Sequence, residues 1–275
     1  MEIVIALGVL IGAIMGIMGA GGGILAVPVL VAGLHWSMQQ AAPVALVAVA
    51  AGASVGAMDG FKHRLVRYKA AILMASCGIP MTHLGQQWAL ALPQHVLMGG
   101  FAVLMLMVAR RFYQQARHTS HTSDDVLALA FVSDVTGKFI WTPLTALVLG
   151  CIGLFTGLMT GLLGVGGGFL IVPLMRRFTN LALPGIVATS LFLISMVSTG
   201  GVINAVLSGA VLPWFETSAF VLAMVSGMLT GRYFSRRLNP QQVQLGFALL
   251  LLALSLYMMT KAWGHYSASV HVASV

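Results

Sequence analysis

Two short glycine-rich stretches are the residues of this 275-residue chain best placed to do chemistry: Gly19-Ala-Gly-Gly-Gly23 and Gly164-Val-Gly-Gly-Gly168, each followed by a proline, Pro28 and Pro173. Successive glycines let an anion approach main-chain N–H groups with no Cβ in the way. Where such a run opens a helix, those N–H groups are unpaired and sit at the positive end of the helix dipole. Gly21, Gly22, Gly23, Gly166, Gly167 and Gly168 are therefore candidate ligands for a small anion. Gly19, Pro28, Gly164 and Pro173 are candidate structural residues that set the breaks. Hydroxyl and amide groups in the apolar runs, Ser54, Thr189, Ser190, Ser198, Thr199 and Asn204, are candidate contributors to the same pathway. No basic side chain is clearly placed within a span, so the expected site rests on backbone N–H groups and hydroxyls. Asp59 falls near the end of an apolar run and could cap that end or relay protons.

The elements that must carry these residues are set by composition. Hydrophobic residues make up 59% of the chain and charged residues only 7%, against about 25% charged in soluble domains. Roughly 20 apolar residues cross a bilayer, and the apolar runs here suffice for six to eight crossings. The expectation is an all-α, polytopic membrane protein. The formal charge of +8 comes from short basic clusters between apolar runs, as the positive-inside rule describes, and does not point to nucleic acid. Cys77 and Cys151 stand in apolar stretches and form no metal-binding pair. The first 20 residues lack a basic start and their apolar run continues to Val31, so they read as a retained span and not a leader.

The chain also repeats itself. A shift of 145 positions places Gly12, Gly16, Gly19, Gly21, Gly22, Gly23, Leu25, Val27 and Pro28 on Gly157, Gly161, Gly164, Gly166, Gly167, Gly168, Leu170, Val172 and Pro173, nine identities in 17 positions. The same shift brings Asp59 onto Asn204 and Gly56 onto Gly201. The organisation expected is a first membrane repeat over 1–113, a linker over 114–140 on the cytoplasmic side, with a short surface helix over Val126–Val132, and a second membrane repeat over 141–275. Gly12-xxx-Gly16 and Gly157-xxx-Gly161 have the spacing that lets membrane helices pack closely.

Charge indicates how the repeats are oriented. If each broken segment were one crossing, the 14 Lys and Arg residues would divide nine against five; if each is a hairpin returning to its own face, 13 fall on one side and only Lys261 on the other. The second arrangement satisfies the positive-inside rule. It implies two inverted repeats, each a glycine-broken re-entrant segment plus three transmembrane helices, with basic loops cytoplasmic and both termini periplasmic or extracellular. Transporters of this design bind substrate where the broken segments meet near the midplane.

Other readings are weaker. Gly16 to Gly23 imitates a dinucleotide fingerprint but has no acidic residue about 20 positions on, and no lysine is placed for a P-loop. His118, His121, Asp124 and Asp125 have the look of a solvated loop more than of a metal site. No catalytic constellation, cofactor or metal is expected, and the chain does not read as an enzyme.

The paired Gly-x-Gly-Gly-Gly-x-x-x-x-Pro motifs, with Ala188-Thr-Ser-Leu-Phe192 and Ser198-x-x-Gly201, resemble the sulfite exporter TauE/SafE family of bacterial membrane transporters. The resemblance spans essentially the whole chain. It implies a permease of the bacterial inner membrane for a small anion, a sulfur oxyanion or organosulfonate. Ala42-Pro-Val-Ala-Leu46 departs from the pattern where the second half has Thr189-Ser190. An anion channel and a non-transporting assembly subunit are the alternatives; the partners expected are the lipid bilayer and the anion, and homo-oligomerisation is compatible with this.

Overall fold

The computed structural model describes residues 2–117, 129–131, 139–210, 212–235 and 240–273. They form ten α-helices: α1 (Glu2–Met18), α2 (Ala26–Leu34), α3 (Met38–Lys62), α4 (Tyr68–Ala91), α5 (Gln94–Arg117), α6 (Pro143–Leu163), α7 (Gly168–Phe178), α8 (Leu183–Leu207), α9 (Trp214–Ser235) and α10 (Pro240–Ala273). No strand occurs among the described residues, and the all-α class holds. Five helices, α3, α5, α6, α8 and α10, are long and apolar enough to cross a membrane. The other two long helices, α4 and α9, carry polar residues such as Thr82, Gln86 and Gln87, or Thr217, Thr230 and Arg232, of which Thr82 and Thr217 are buried against other helices.

Helix starts follow local chemistry. Ser37 caps α3 through a reciprocal capping box with Gln40, and Thr142 caps α6 ahead of Pro143, whose missing N–H costs nothing at that position. The first glycine run does not start a new α-helix at Ile24, as its sequence suggests. It winds into a 3-10 segment, Gly19–Leu25, and α2 begins at Ala26. The second run breaks outright: Gly164, Gly166 and Gly167 all have positive φ, and α7 begins at Gly168. The surface helix expected over Val126–Val132 is absent at Leu129–Phe131, where Ala130 instead pairs with Thr179 in an isolated bridge and both Leu129 and Ala130 donate to the Phe178 carbonyl. Residues 126–128 and 132 lie outside the described residues.

The close approaches between helices fix their directions. α1 runs parallel to α9, with Gly8 against Ala223, Gly12 against Met224 and Gly16 against Met228. α4 runs parallel to α6, with Met74, Gly78 and Thr82 against Gly153, Gly157 and Gly161. At Gly12 and Gly157 a Cβ would overlap the facing backbone carbonyl, so only glycine permits these contacts. α3 is antiparallel to α8, with Leu46 against Gly201 and Gly60 against Ala188. It is parallel to α9, with Gly52 against Met228 and Gly56 against Arg232, while α8 is parallel to α4, with Val197 against Gly78 and Gly201 against Thr82. Hence α1, α3 and α9 point one way and α4, α6 and α8 the other. Because α1 and α3 share a direction, the chain must double back between them, and α2 does so: Gly22 lies against Met15 and Gly33 against Leu7. α7 provides the same return between α6 and α8. The outermost pair, α5 and α10, turns exposed side chains such as Leu106, Met107, Leu249 and Leu256 outward.

Candidate functional site

The two glycine runs meet in the middle of the molecule, against the centres of α3 and α8. All six candidate glycines, Gly21–Gly23 and Gly166–Gly168, are buried. Gly23 faces the Val165 carbonyl and Val49, and Gly166 faces Val49, Ile194 and Ser198. Val49 and Ile194 occupy equivalent positions at the 145-residue shift, so each half presents the same point of its central helix to the glycine runs.

The glycines are not alike. Gly22 is pressed against the Met15 backbone and its role is packing within the α1 hairpin; Gly167, at φ 62°, abuts Thr160 and Thr156. Gly21 and Gly23 have room: a Cβ would make only ordinary contacts, 3.7 Å from Phe112 at the first and 3.5 Å from the Val165 oxygen at the second. Gly164 terminates α6 in the left-handed conformation, its N–H bonded to the Thr160 carbonyl at 2.8 Å. Gly19 also has positive φ and abuts Val187. Pro28 lies in the first turn of α2, where no intrahelical bond is lost, whereas Pro173, six residues into α7, denies a partner to the Phe169 carbonyl.

Among the side chains, Ser198 is brought to this centre. It is fully buried, its Oγ has no hydrogen-bond partner among the described residues, and a Cβ at Gly166 would lie 3.1 Å from it. A hydroxyl left unpaired in the interior costs about 1–3 kcal/mol. At the start of α7 the N–H groups of Gly168 and Phe169 precede the first intrahelical bonds, which Leu170 and Ile171 make to the Gly167 carbonyl at 3.0 Å and 3.2 Å. The other candidates are occupied elsewhere. Ser54 donates to the Ala50 carbonyl at 2.7 Å and Thr199 to Ser195 at 2.6 Å, both within their own helices. Thr189 accepts from the Arg67 N–H at 3.0 Å near the basic-loop end, and Ser190 approaches only the Met175 sulfur, at 4.0 Å.

Asn204 lies about 15 Å along α8 from Ile194, at 1.5 Å per residue, in a polar network that joins α4 to α8. It bonds His83 and Gln86; Gln86 Nε2 donates to the Gly201 carbonyl at 2.9 Å, and Gln87 lies 3.0 Å from the other His83 nitrogen. This network borders a cavity of about 260 Å3. The cavity opens between the uncharged ends of α4 and α8, at Leu90 and Ser208–Ala210, and reaches Gly161–Leu163, directly before the second glycine run. At the opposite end of α3, Asp59 pairs with Arg232 at 2.5 Å. Arg232 stands in the last turn of α9, half-exposed at the basic-loop end, and its side chain reaches across to α3. Sequence reasoning missed Gln86 and His83; the adjacent Gln86-Gln87 in an apolar run was the available signal.

The model of the family described as "Sulfite exporter TauE/SafE" matches residues 4–258. The chain belongs to that family. Its relatives include a "Probable membrane transporter protein" of Xylella fastidiosa (strain 9a5c), 24% identical over 95% of both chains. Another is the "Probable membrane transporter protein YunE" of Bacillus subtilis (strain 168), 24% identical over 91% of this chain and 94% of the relative. A third is the "Probable membrane transporter protein MamO" of Paramagnetospirillum magneticum, 26% identical over 89% of this chain and 42% of its own length. No solved structure matches the chain. The protein is thus a multi-pass membrane transporter by family, as the paired glycine motifs led one to expect.

Proposed function

We infer that this family member is a secondary transporter or facilitator of a small anion, a sulfur oxyanion or organosulfonate, whose site lies where the glycine runs meet between two inverted halves. The observation that carries the reading is Ser198: a buried hydroxyl without a partner among the described residues, next to Gly166 and the N-terminus of α7. An anion there would satisfy the hydroxyl and helix N–H groups together. The cavity is smaller than the roughly 300–1,000 Å3 of pockets for drug-sized ligands, which suits a small ion. The opposed directions of α3 and α8, and of α1 and α6, support the inverted arrangement. On this reading the basic loops are cytoplasmic and the chain's start and end are on the outer side. A cavity that enters from one end and stops at Gly161–Leu163, just before the second glycine run, favours alternating access over a continuous channel.

Purified protein in liposomes tests this. Uptake of sulfite or methanesulfonate that saturates with concentration is expected; absence of uptake for every small anion tried overturns the reading.

A further inference from the structure

Arg232 and Asp59 stand, at the basic-loop end of the molecule, where Gln86 and Asn204 stand at the other. Asp59 and Asn204 are aligned by the 145-residue shift, as are Gly56 and Gly201, and Gln86 is one residue from the position aligned with Arg232. The contacts are equivalent too. Gln86 bonds Asn204 and donates to the Gly201 carbonyl; Arg232 pairs with Asp59 and points its Nη1 at the Gly56 carbonyl, 3.5 Å away. Asp59 and Asn204 each lie ten residues, about 15 Å, beyond the central Val49 and Ile194, toward opposite ends because α3 and α8 are antiparallel.

The two ends differ in openness and in charge. At the Asn204 end, Ala42 and Leu46 line the cavity. The aligned residues at the other end are Val187 and Leu191. Val187 abuts Gly19 much as Ala42 abuts Gly164, with a Cβ at 2.7 Å and 2.3 Å, but Leu191 packs more tightly on Gly56, at 2.9 Å, than Leu46 does on Gly201, at 3.4 Å. The open end carries the amides of Gln86, Gln87 and Asn204 with the His83 imidazole, and no Lys or Arg among the described residues. The closed end carries a guanidinium beside a loop with Lys62, Arg64 and Arg67.

We propose that Arg232 is the anion-receiving residue of a second vestibule, equivalent to the open cavity and shut in this conformation, and that Asp59 occupies the guanidinium while the vestibule is empty. This rests on the transporter reading above. A planar guanidinium matches a sulfonate or sulfite oxyanion through paired N–H groups. Asp59 supplies the same oxygen pair from within the protein, so arriving anion and carboxylate compete for one partner. Basic loop residues raise the local concentration of anions at that mouth.

The test uses one reporter cysteine, Val187→Cys, in a Cys77→Ala/Cys151→Ala background, labelled from the basic-loop side with a membrane-impermeant thiol reagent. Methanesulfonate is the probe anion, since sulfite would consume the reagent. With the native pair, labelling is slow. Asp59→Asn should speed it at least tenfold, and methanesulfonate should slow it again. Arg232→Gln should also speed labelling, with no protection by methanesulfonate. The exchanged pair, Asp59→Arg with Arg232→Asp, should return labelling to the slow rate, which also shows that the variants fold. If Asp59→Asn does not fold, Arg232→Gln and the exchanged pair decide the matter. Labelling that rises in neither single variant, or protection that survives Arg232→Gln, overturns the proposal. The labelling needs no flux. Normal anion uptake with unchanged labelling would remove the vestibule alone; absent uptake with the expected labelling would remove the transporter reading alone.

Discussion

Ser198 carries the proposed anion site, and its burial without a partner among the described residues makes an unusual prediction. Replacing it with alanine removes an unpaired interior hydroxyl, so thermal stability should be unchanged or higher. A hydrogen bond to a charged group contributes about 1.5–3 kcal/mol, so half-saturation for the anion should rise by roughly 10–100-fold. Lower stability with unchanged half-saturation, measured by unfolding in detergent and uptake in liposomes, would make Ser198 a packing residue. The glycines separate in the same way. Gly23→Ala has room for its methyl and should lower uptake with little loss of stability; Gly22→Ala meets the Met15 backbone and should destabilise the protein by about 1–3 kcal/mol, as overpacking does. Equal effects of the two on stability would contradict this division. Sequence alone could not make it: six buried glycines look identical until the hairpin of α1 and α2 shows which of them face their own helix.

Among elements, the helix pairs α1/α9 and α4/α6 are held at backbone contact by small residues. Gly12→Leu or Gly157→Leu should therefore abolish the folded, monodisperse protein on gel filtration, while leucine at Gly246, beside which nothing lies within 4 Å, should not. Intact protein from Gly12→Leu would mean that α1 can part from α9 without loss. Much at this scale was legible beforehand. The apolar run at 183–207 is α8, and the Gly-xxx-Gly pairs in α1 and α6 are packing faces. The partners of those faces were not, because periodicity shows that a helix has a small-residue stripe and not which helix covers it. The contrast between the two glycine runs was hidden as well. Both have the same spacing, yet one winds as a 3-10 turn with a single positive φ and the other breaks at three, since flanking contacts with Met15 or with Ala42 and Thr156 select the backbone that glycine merely allows.

For the whole molecule, the duplication and the skewed distribution of basic residues point to halves of opposite direction, and the inverted arrangement proposed above makes a prediction about topology. Reporter fusions after Trp36 and after Val275 should lie on the same side of the membrane; opposite sides would contradict the hairpin arrangement of α1 and α2. The family and the membrane class were readable from paired motifs and composition. The neutral and ionic ends of the pathway were not, because Gln86 and Asn204, or Asp59 and Arg232, meet across 118 and 173 residues of chain. One buried anion site exposed to each face in turn must show counterflow. Liposomes containing the purified protein are loaded with unlabelled methanesulfonate and diluted into a trace of labelled anion. A transient accumulation of label above equilibrium is the expected result. Uptake that only relaxes to equilibrium, with a rate proportional to concentration throughout, would contradict alternating exposure of the site.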